Sequence, residues 1–181
     1  MELRPAGYFP KTTAIPDGYS LPDNVREICT VSPCINAPAD RIEKWRHNDL
    51  GFYNTREDAL AIVPPHAPAF VLFAYQMLPV RFCKEGVEPI DLPELEIEPL
   101  DQTFASIGFD AISKSSSSFF ECSPLSCNYL AREIPVNRYC LVDSLPEAVA
   151  LAKRFAREEP EPGPYYVFEV LRQQESAQAS H

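Results

Sequence analysis

Glycine is scarce in this chain, with 6 among 181 residues, and nothing resembles the Gly-rich loop that cradles a phosphate. Basic charge is also in deficit. Sixteen Lys and Arg stand against 26 Asp and Glu, a formal charge of −10, so the summed field repels nucleic-acid backbones and anionic lipid. Neither nucleic acid nor a membrane surface is expected as a partner. No stretch approaches the ~20 consecutive apolar residues that span a bilayer. Residues 1–20 carry no basic flank followed by a hydrophobic run, so the expectation is neither export nor insertion, and a cytoplasmic location.

What is present fits one domain of ordinary size. A hydrophobic content of 45% is enough to bury a core, which argues against disorder. The six cysteines, Cys29, Cys34, Cys83, Cys122, Cys127 and Cys140, would sit among reducing thiols in a chain without an export signal. They are expected to be mostly reduced.

The chain contains a degenerate repeat. From Cys29 it runs CTVSPC, the capped segment DRIEKW, then NDLGFYNTREDALAIV and the strand-like FVLFAYQML. From Cys122 it runs CSPLSC, NYLARE, then NRYCLVDSLPEAVALA and YYVFEVLR. Cys29 and Cys34 match Cys122 and Cys127; Asn48, Thr55, Asp58, Ala59 and Ala61 match Asn137, Ser144, Glu147, Ala148 and Ala150; Phe70 matches Tyr165. Gly7-Tyr8 and Gly108-Phe109 mark corresponding first strands. Spacing changes fall between elements, where surface loops tolerate insertion.

Local chemistry supports the later segments independently. Residues 51–53 and 139–142 are short apolar runs ending at a polar cap, as strands entering helices. Ser144 with Glu147 forms a capping box, and Thr55 with Asp58 a weaker version because Asp reaches less far. Ala148, Val149, Leu151, Ala152, Phe155 and Ala156 recur at three and four, giving one apolar helical stripe that faces a sheet. Pro64-Pro65 stops the first helix early, and the second runs to about Arg157 before Pro160 and Pro162. Residues 70–78 and 165–171 read as strands.

The expected fold is therefore α+β with an α/β-like character. Two diverged copies of a strand, Cys loop, short helix, strand, helix and strand form a mixed sheet, through parallel crossovers, with helices packed on it. The halves span about 7–78 and 108–172 of a single domain 1–181. Residues 79–107 form an acidic, Pro-rich connection or edge strand, and 173–181 a frayed tail.

The paired Cys-x4-Cys segments are the most specific chemical feature. Cys29, Cys34, Cys122 and Cys127 could hold zinc tetrahedrally if a dyad brings both loops together. Cys127 precedes a possible N-cap, Asn128, and a sulfur there could ionise readily and serve as a nucleophile. Cysteine is also among the most buried residue types, which makes structural thiols the baseline. If a residue shared by both halves serves the scaffold, function belongs to the differences. His47 is one of these, and could act as a base toward Cys34 or Cys127. His66 reads as loop and His181 as terminal. Trp45, Arg46 and Tyr53 suit a protein interface, although Trp45 could pack with Ile42 on a short helix opened by Asp40 and Glu43. Residues 115–118, a serine run between Lys114 and Glu121, read as a turn rather than a nucleotide site.

Glu169 lies inside the aromatic strand YYVFEV, and Ala74 takes its place in the first half. Strand, capped helix and Glu-bearing strand together are similar to ADP-ribosyltransferases over the last third of the chain, without the rest of their positioned residues. The resemblance implies a catalytic carboxylate at Glu169; alternation gives instead an edge-facing glutamate. The favoured expectation is a non-enzymatic binding or regulatory protein without cofactor, engaging a protein partner through an acidic, aromatic-bearing surface. Its rival is a cysteine-centred site between the halves, holding zinc or using a reactive thiol with His47.

Overall fold

The computed structural model describes residues 2–36, 47–66, 69–114 and 122–174. It is an α+β fold built on a six-stranded sheet with few helices. Strand β1 (Arg4–Lys11) is followed, after a long excursion, by helix α1 (Arg56–Ala61) and strand β2 (Val71–Met77). A hairpin follows, made of β3 (Val80–Cys83) and β4 (Gly86–Pro89). Next come β5 (Phe104–Ser113), the single-turn helix α2 (Pro124–Cys127), a 3-10 turn at Leu130–Arg132, helix α3 (Leu145–Glu158) and β6 (Tyr165–Gln173).

Every strand pairing is antiparallel, so the expected parallel crossovers and mixed sheet do not form. The reason lies in residues 51–53 and 139–142, which are not strands. Each contributes one bridge, Tyr53 to Tyr8 and Val142 to Phe109, because an asparagine folds the chain around itself there. Asn48 accepts from the backbone N–H groups of Leu50 and Phe52 and donates to the carbonyl of Ala6 and to Asn54. Asn137 accepts from Tyr139 and Leu141 and donates to Ile107 and Asp143. A side chain that supplies these bonds satisfies backbone groups a ladder would otherwise take.

Each asparagine corner presses on a glycine. A Cβ at Gly7 (φ +130°) would lie 2.6 Å from the Tyr53 carbonyl oxygen, and one at Gly108 (φ +140°) 2.8 Å from that of Val142. Only glycine accepts both the backbone angle and the approach. A bulge lies beside each, between Pro5 and Gly7 and between Ser106 and Gly108. In the sheet, β2 and β6 lie side by side, with β1 outside β2 and β5 against β6. Tyr75 stands opposite Val170, while Phe73 meets Arg172 and Met77 meets Phe168.

The helices start where their caps direct. Thr55 Oγ1 accepts from the Asp58 N–H at 3.1 Å and Ser144 Oγ from that of Glu147 at 3.4 Å. Each carboxylate accepts from its own cap hydroxyl at 2.8 Å rather than reaching the cap N–H. The apolar stripe of α3 buries Ala148, Leu151, Ala152 and Phe155 against Ala111, Tyr165 and Val167. At roughly 1.5–3 kcal/mol for a large apolar side chain, Leu151 and Phe155 anchor that helix.

The acidic connection is more than an edge. It carries the β3–β4 hairpin, and beyond it Ile90, Leu92, Leu95, Ile97 and Leu100 pack on the core. The strand ends also lie outside the expected halves, because β1 and β5 begin at Arg4 and Phe104. Fraying does not start at 173, since β6 includes Gln173 and Gln174 N–H reaches the Thr103 carbonyl at 2.7 Å.

Candidate thiol site

The site begins with two charges where a sheet ordinarily has none. By alternation, Lys11 on β1 and Asp110 on β5 share the face that carries Phe9, Phe73, Tyr75 and Phe168, and both are fully buried. Burying an ion is costly unless it is paired or hydrogen-bonded. Both charges are spent on the chain between β1 and α1, which crosses this face. Lys11 Nζ donates to the carbonyls of Thr30 and Ser32 at 2.6 and 2.7 Å. Asp110 accepts from the Val31 N–H at 2.8 Å and from the Ser123 hydroxyl at 2.7 Å. Burial raises the Asp110 carboxyl and lowers the Lys11 ammonium to about 8, while nearby cysteines and Asp110 favour the lysine's charge.

The crossing segment is tied further along its length. Thr30 and Ser126 share a hydroxyl hydrogen bond at 2.8 Å, and the N–H groups of Arg26, Glu27 and Cys29 reach carbonyls of Arg138 and Tyr139. Glu27 closes the seam by accepting from Arg172 Nη1 at 2.8 and 2.9 Å and from Thr13.

These ties bring three sulfurs together. The Sγ atoms of Cys34, Cys122 and Cys127 lie within 4.8 Å of one another, and Cys34 and Cys127 are 3.3 Å apart. Ser32 Oγ stands 2.8 Å from Cys34 Sγ and 3.3 Å from Cys127 Sγ. All six cysteines are free thiols. The hydrogen bond from Cys127 pulls Cys34 down to about 5, helped by Ser32, Cys122 and the Lys11 charge. Cys127 moves up for the complementary reason, since its proton bridges to Cys34, and burial adds to this. The pair therefore shares one proton and carries one negative charge, centred on the exposed Cys34. Burial and the Cys34 thiolate push Cys122 up to about 11. Tyr19 and Tyr129 meet edge to face at 5.4 Å; burial and then Cys127 raise the Tyr19 hydroxyl.

The structure brings together three of the four expected cysteines. Cys29 is fully buried in the apolar core, where desolvation raises it to about 12, and it stands outside the three-sulfur group. The expected match of Cys29 and Cys34 with Cys122 and Cys127 does not follow the hydrogen bonds either. After β1, Thr12 N–H bonds to Asn36; after β5, the corresponding Ser113 N–H bonds to Cys122. Cys122 thus takes the place of Asn36.

The structure places His47 away from the thiols. Its Nε2 is 2.9 Å from the Tyr53 hydroxyl, beside the Asn48 corner at the start of β1, whereas the thiols gather beyond the other end of that strand. Tyr53 is fully buried and bonded to Tyr8, so it offers nothing to a partner's surface. Trp45, Arg46 and the short helix expected from Asp40 lie outside the described residues, as do residues 115–118. Glu169 is not on an edge, because β6 has β2 on one side and β5 on the other, pairing Glu169 with Gln76 and Phe109.

Sequence reasoning missed Lys11, Asp110 and Ser32. A lysine and an aspartate at inward register positions of otherwise apolar strands were the available signal. Among the described residues no helix is long and apolar enough to cross a membrane. Compared with protein-family models, with curated proteins and with solved structures, the chain gives no significant match.

Proposed function

We propose that the protein is a redox-responsive regulator whose working pair is Cys34 and Cys127. The observation that carries this reading is the 3.3 Å approach of two sulfurs from distant parts of the chain, one of them exposed. A disulfide needs about 2.05 Å between sulfurs, within reach of a small side-chain movement. The Cys34 thiolate attacks an oxygen of a hydroperoxide, forming an S–O bond as the O–O bond breaks, and the departing alkoxide or hydroxide takes a proton from solvent to leave as alcohol or water. Cys127 then attacks the Cys34 sulfenic sulfur, its thiol proton leaves with the departing hydroxyl as water, and the disulfide forms. Two thiols are oxidised and one peroxide is reduced.

The reading includes duplication. The stretches β1 to β2 and β5 to β6 are taken as two diverged copies related by a dyad through the Tyr75–Val170 pair. Support comes from the bulged glycines, the asparagine corners, the capped helices and the ladders Tyr8–Ala74 and Phe109–Glu169. Under this reading the thiol pair belongs to what the copies do not share, which is where a specific function is sought. The interface reading is the weaker one, because Tyr53 is buried.

The test is peptide mapping of reduced protein treated with one equivalent of hydrogen peroxide. A Cys34–Cys127 crosslink is expected, with two thiols lost. In Cys127→Ser the sulfenic acid should persist at Cys34 and be captured by a dione probe. Iodoacetamide should label Cys34 first, its rate rising through about pH 5 and level by neutrality, while Cys83, raised by burial, lags. Crosslinks elsewhere, or equal labelling of Cys34 and Cys83 at pH 6, would overturn the proposal.

A further inference from the structure

Dithiol oxidation leaves Cys122 without a role, although its sulfur completes the group of three. We infer that Cys34, Cys122 and Cys127 together hold a thiophilic divalent cation of the zinc class. This goes beyond the redox reading and rests only on the same thiol geometry. Zinc–sulfur bonds of about 2.3 Å in a tetrahedron place neighbouring sulfurs about 3.8 Å apart. Here the closest pair stands at 3.3 Å and all three fall within 4.8 Å, so small movements suffice.

The donors are fixed from both sides. Cys122 and Cys127 bracket α2, whose first turn is pinned when Ser123 donates to buried Asp110 and when Cys127 N–H bonds to the Ser123 carbonyl. Cys34 arrives on the crossing segment, which the Thr30–Ser126 bond and the two Lys11 bonds hold against that turn. A site organised before the cation arrives loses less freedom on binding it.

Charge and softness select the cation. Three thiolates and a divalent ion sum to one negative charge, and the fully buried Lys11 ammonium, whose field reaches both Asp110 and Cys34, offsets part of it. The three donors in the group are sulfur, so magnesium and calcium, which take oxygen donors, are disfavoured while zinc and cobalt are accepted. Three protein ligands leave a fourth tetrahedral position for water or another small donor.

The experiment uses the full chain, reduced and stripped with a chelator, and titrated with Zn2+ and separately with Co2+ in the absence of oxidant. One equivalent of either should bind, Co2+ giving intense thiolate-to-cobalt absorption. Bound Zn2+ should shield Cys34, Cys122 and Cys127 from alkylation while leaving Cys83 reactive. Cys122→Ser, with circular dichroism confirming its fold, should bind Zn2+ at least about tenfold more weakly. Unchanged affinity in that variant, or alkylation of Cys122 in the zinc-loaded protein, would overturn the inference. Failure of the redox reading shows separately, as absence of the Cys34–Cys127 crosslink in the metal-free protein.

Discussion

The corner at Gly7 and Asn48 and the corner at Gly108 and Asn137 are built alike, yet the chain leaves the two strands behind them differently. Each corner has a bulged glycine at positive φ, an asparagine bonding two N–H groups and a carbonyl, and a reciprocal bridge to the neighbouring strand. After β1 the chain crosses the sheet face before Asn36; at the end of β5, Ser113 bonds to Cys122, which leads directly into α2. The comparison teaches that the scaffold resides in what both stretches do and the three-sulfur group in how they differ.

The harshest way to break the comparison is to add a methyl group at each glycine. Gly7→Ala and Gly108→Ala should each destabilise the fold by about 3 kcal/mol, since positive φ and a clash with backbone oxygen act together. Urea titration checks this, and a large loss at one glycine with none at the other would show that the corners are not equivalent.

Next come the asparagines. Asn48→Ala and Asn137→Ala each remove an acceptor that two backbone N–H groups of the corner use, and about 2 kcal/mol is expected from either by the same titration. The caps follow. Ser144→Ala should cost about 1 kcal/mol and Thr55→Ala no more, read as thermal midpoints, because α1 is a short helix and α3 a long one.

The smallest effect, because solvent screens the exposed Cys34, is one that vanishes with pH. The fold lowers Cys34 to about 5 from an ordinary 9.0, so it favours the thiolate. Its contribution to stability is complete above pH 9 and is lost as pH falls through 5. Cys34→Ser should therefore be less stable than the parent near pH 8 and equal to it near pH 4, measured by urea unfolding at both values. A gap that persists at pH 4 would assign Cys34 a packing role instead.

Much of the scaffold was legible in the sequence because it depends on local chemistry. The cap residues Thr55 and Ser144, the stripe from Ala148 to Ala156 and the strands around residues 70–78 and 165–171 all declare themselves within a few positions. Cys34 and Cys127 were visible as members of the two Cys-x4-Cys segments, beside Cys29 and Cys122, at a spacing within the range zinc ligands use. The antiparallel pairing was not legible, because it depends on Asn48 and Asn137 folding their loops through bonds to residues 42 and 30 positions away. Nor was the site's membership. Cys29 and Cys122 look alike in sequence, but one enters the apolar core and the other faces two sulfurs, a distinction made where Lys11 and Asp110, far apart in the chain, hold the same crossing segment.

The crossing segment also sets an order on the making of this protein. Its bonds run back to Lys11 and Thr13 but also forward to Arg138 and Tyr139, and Cys34 has no sulfur of its group until Cys122 and Cys127 have been added. During synthesis the crossing segment therefore waits, tied from one side alone, for residues made much later. The approach of Cys34 to Cys127 is thus made by no chain that stops short of its second sulfur.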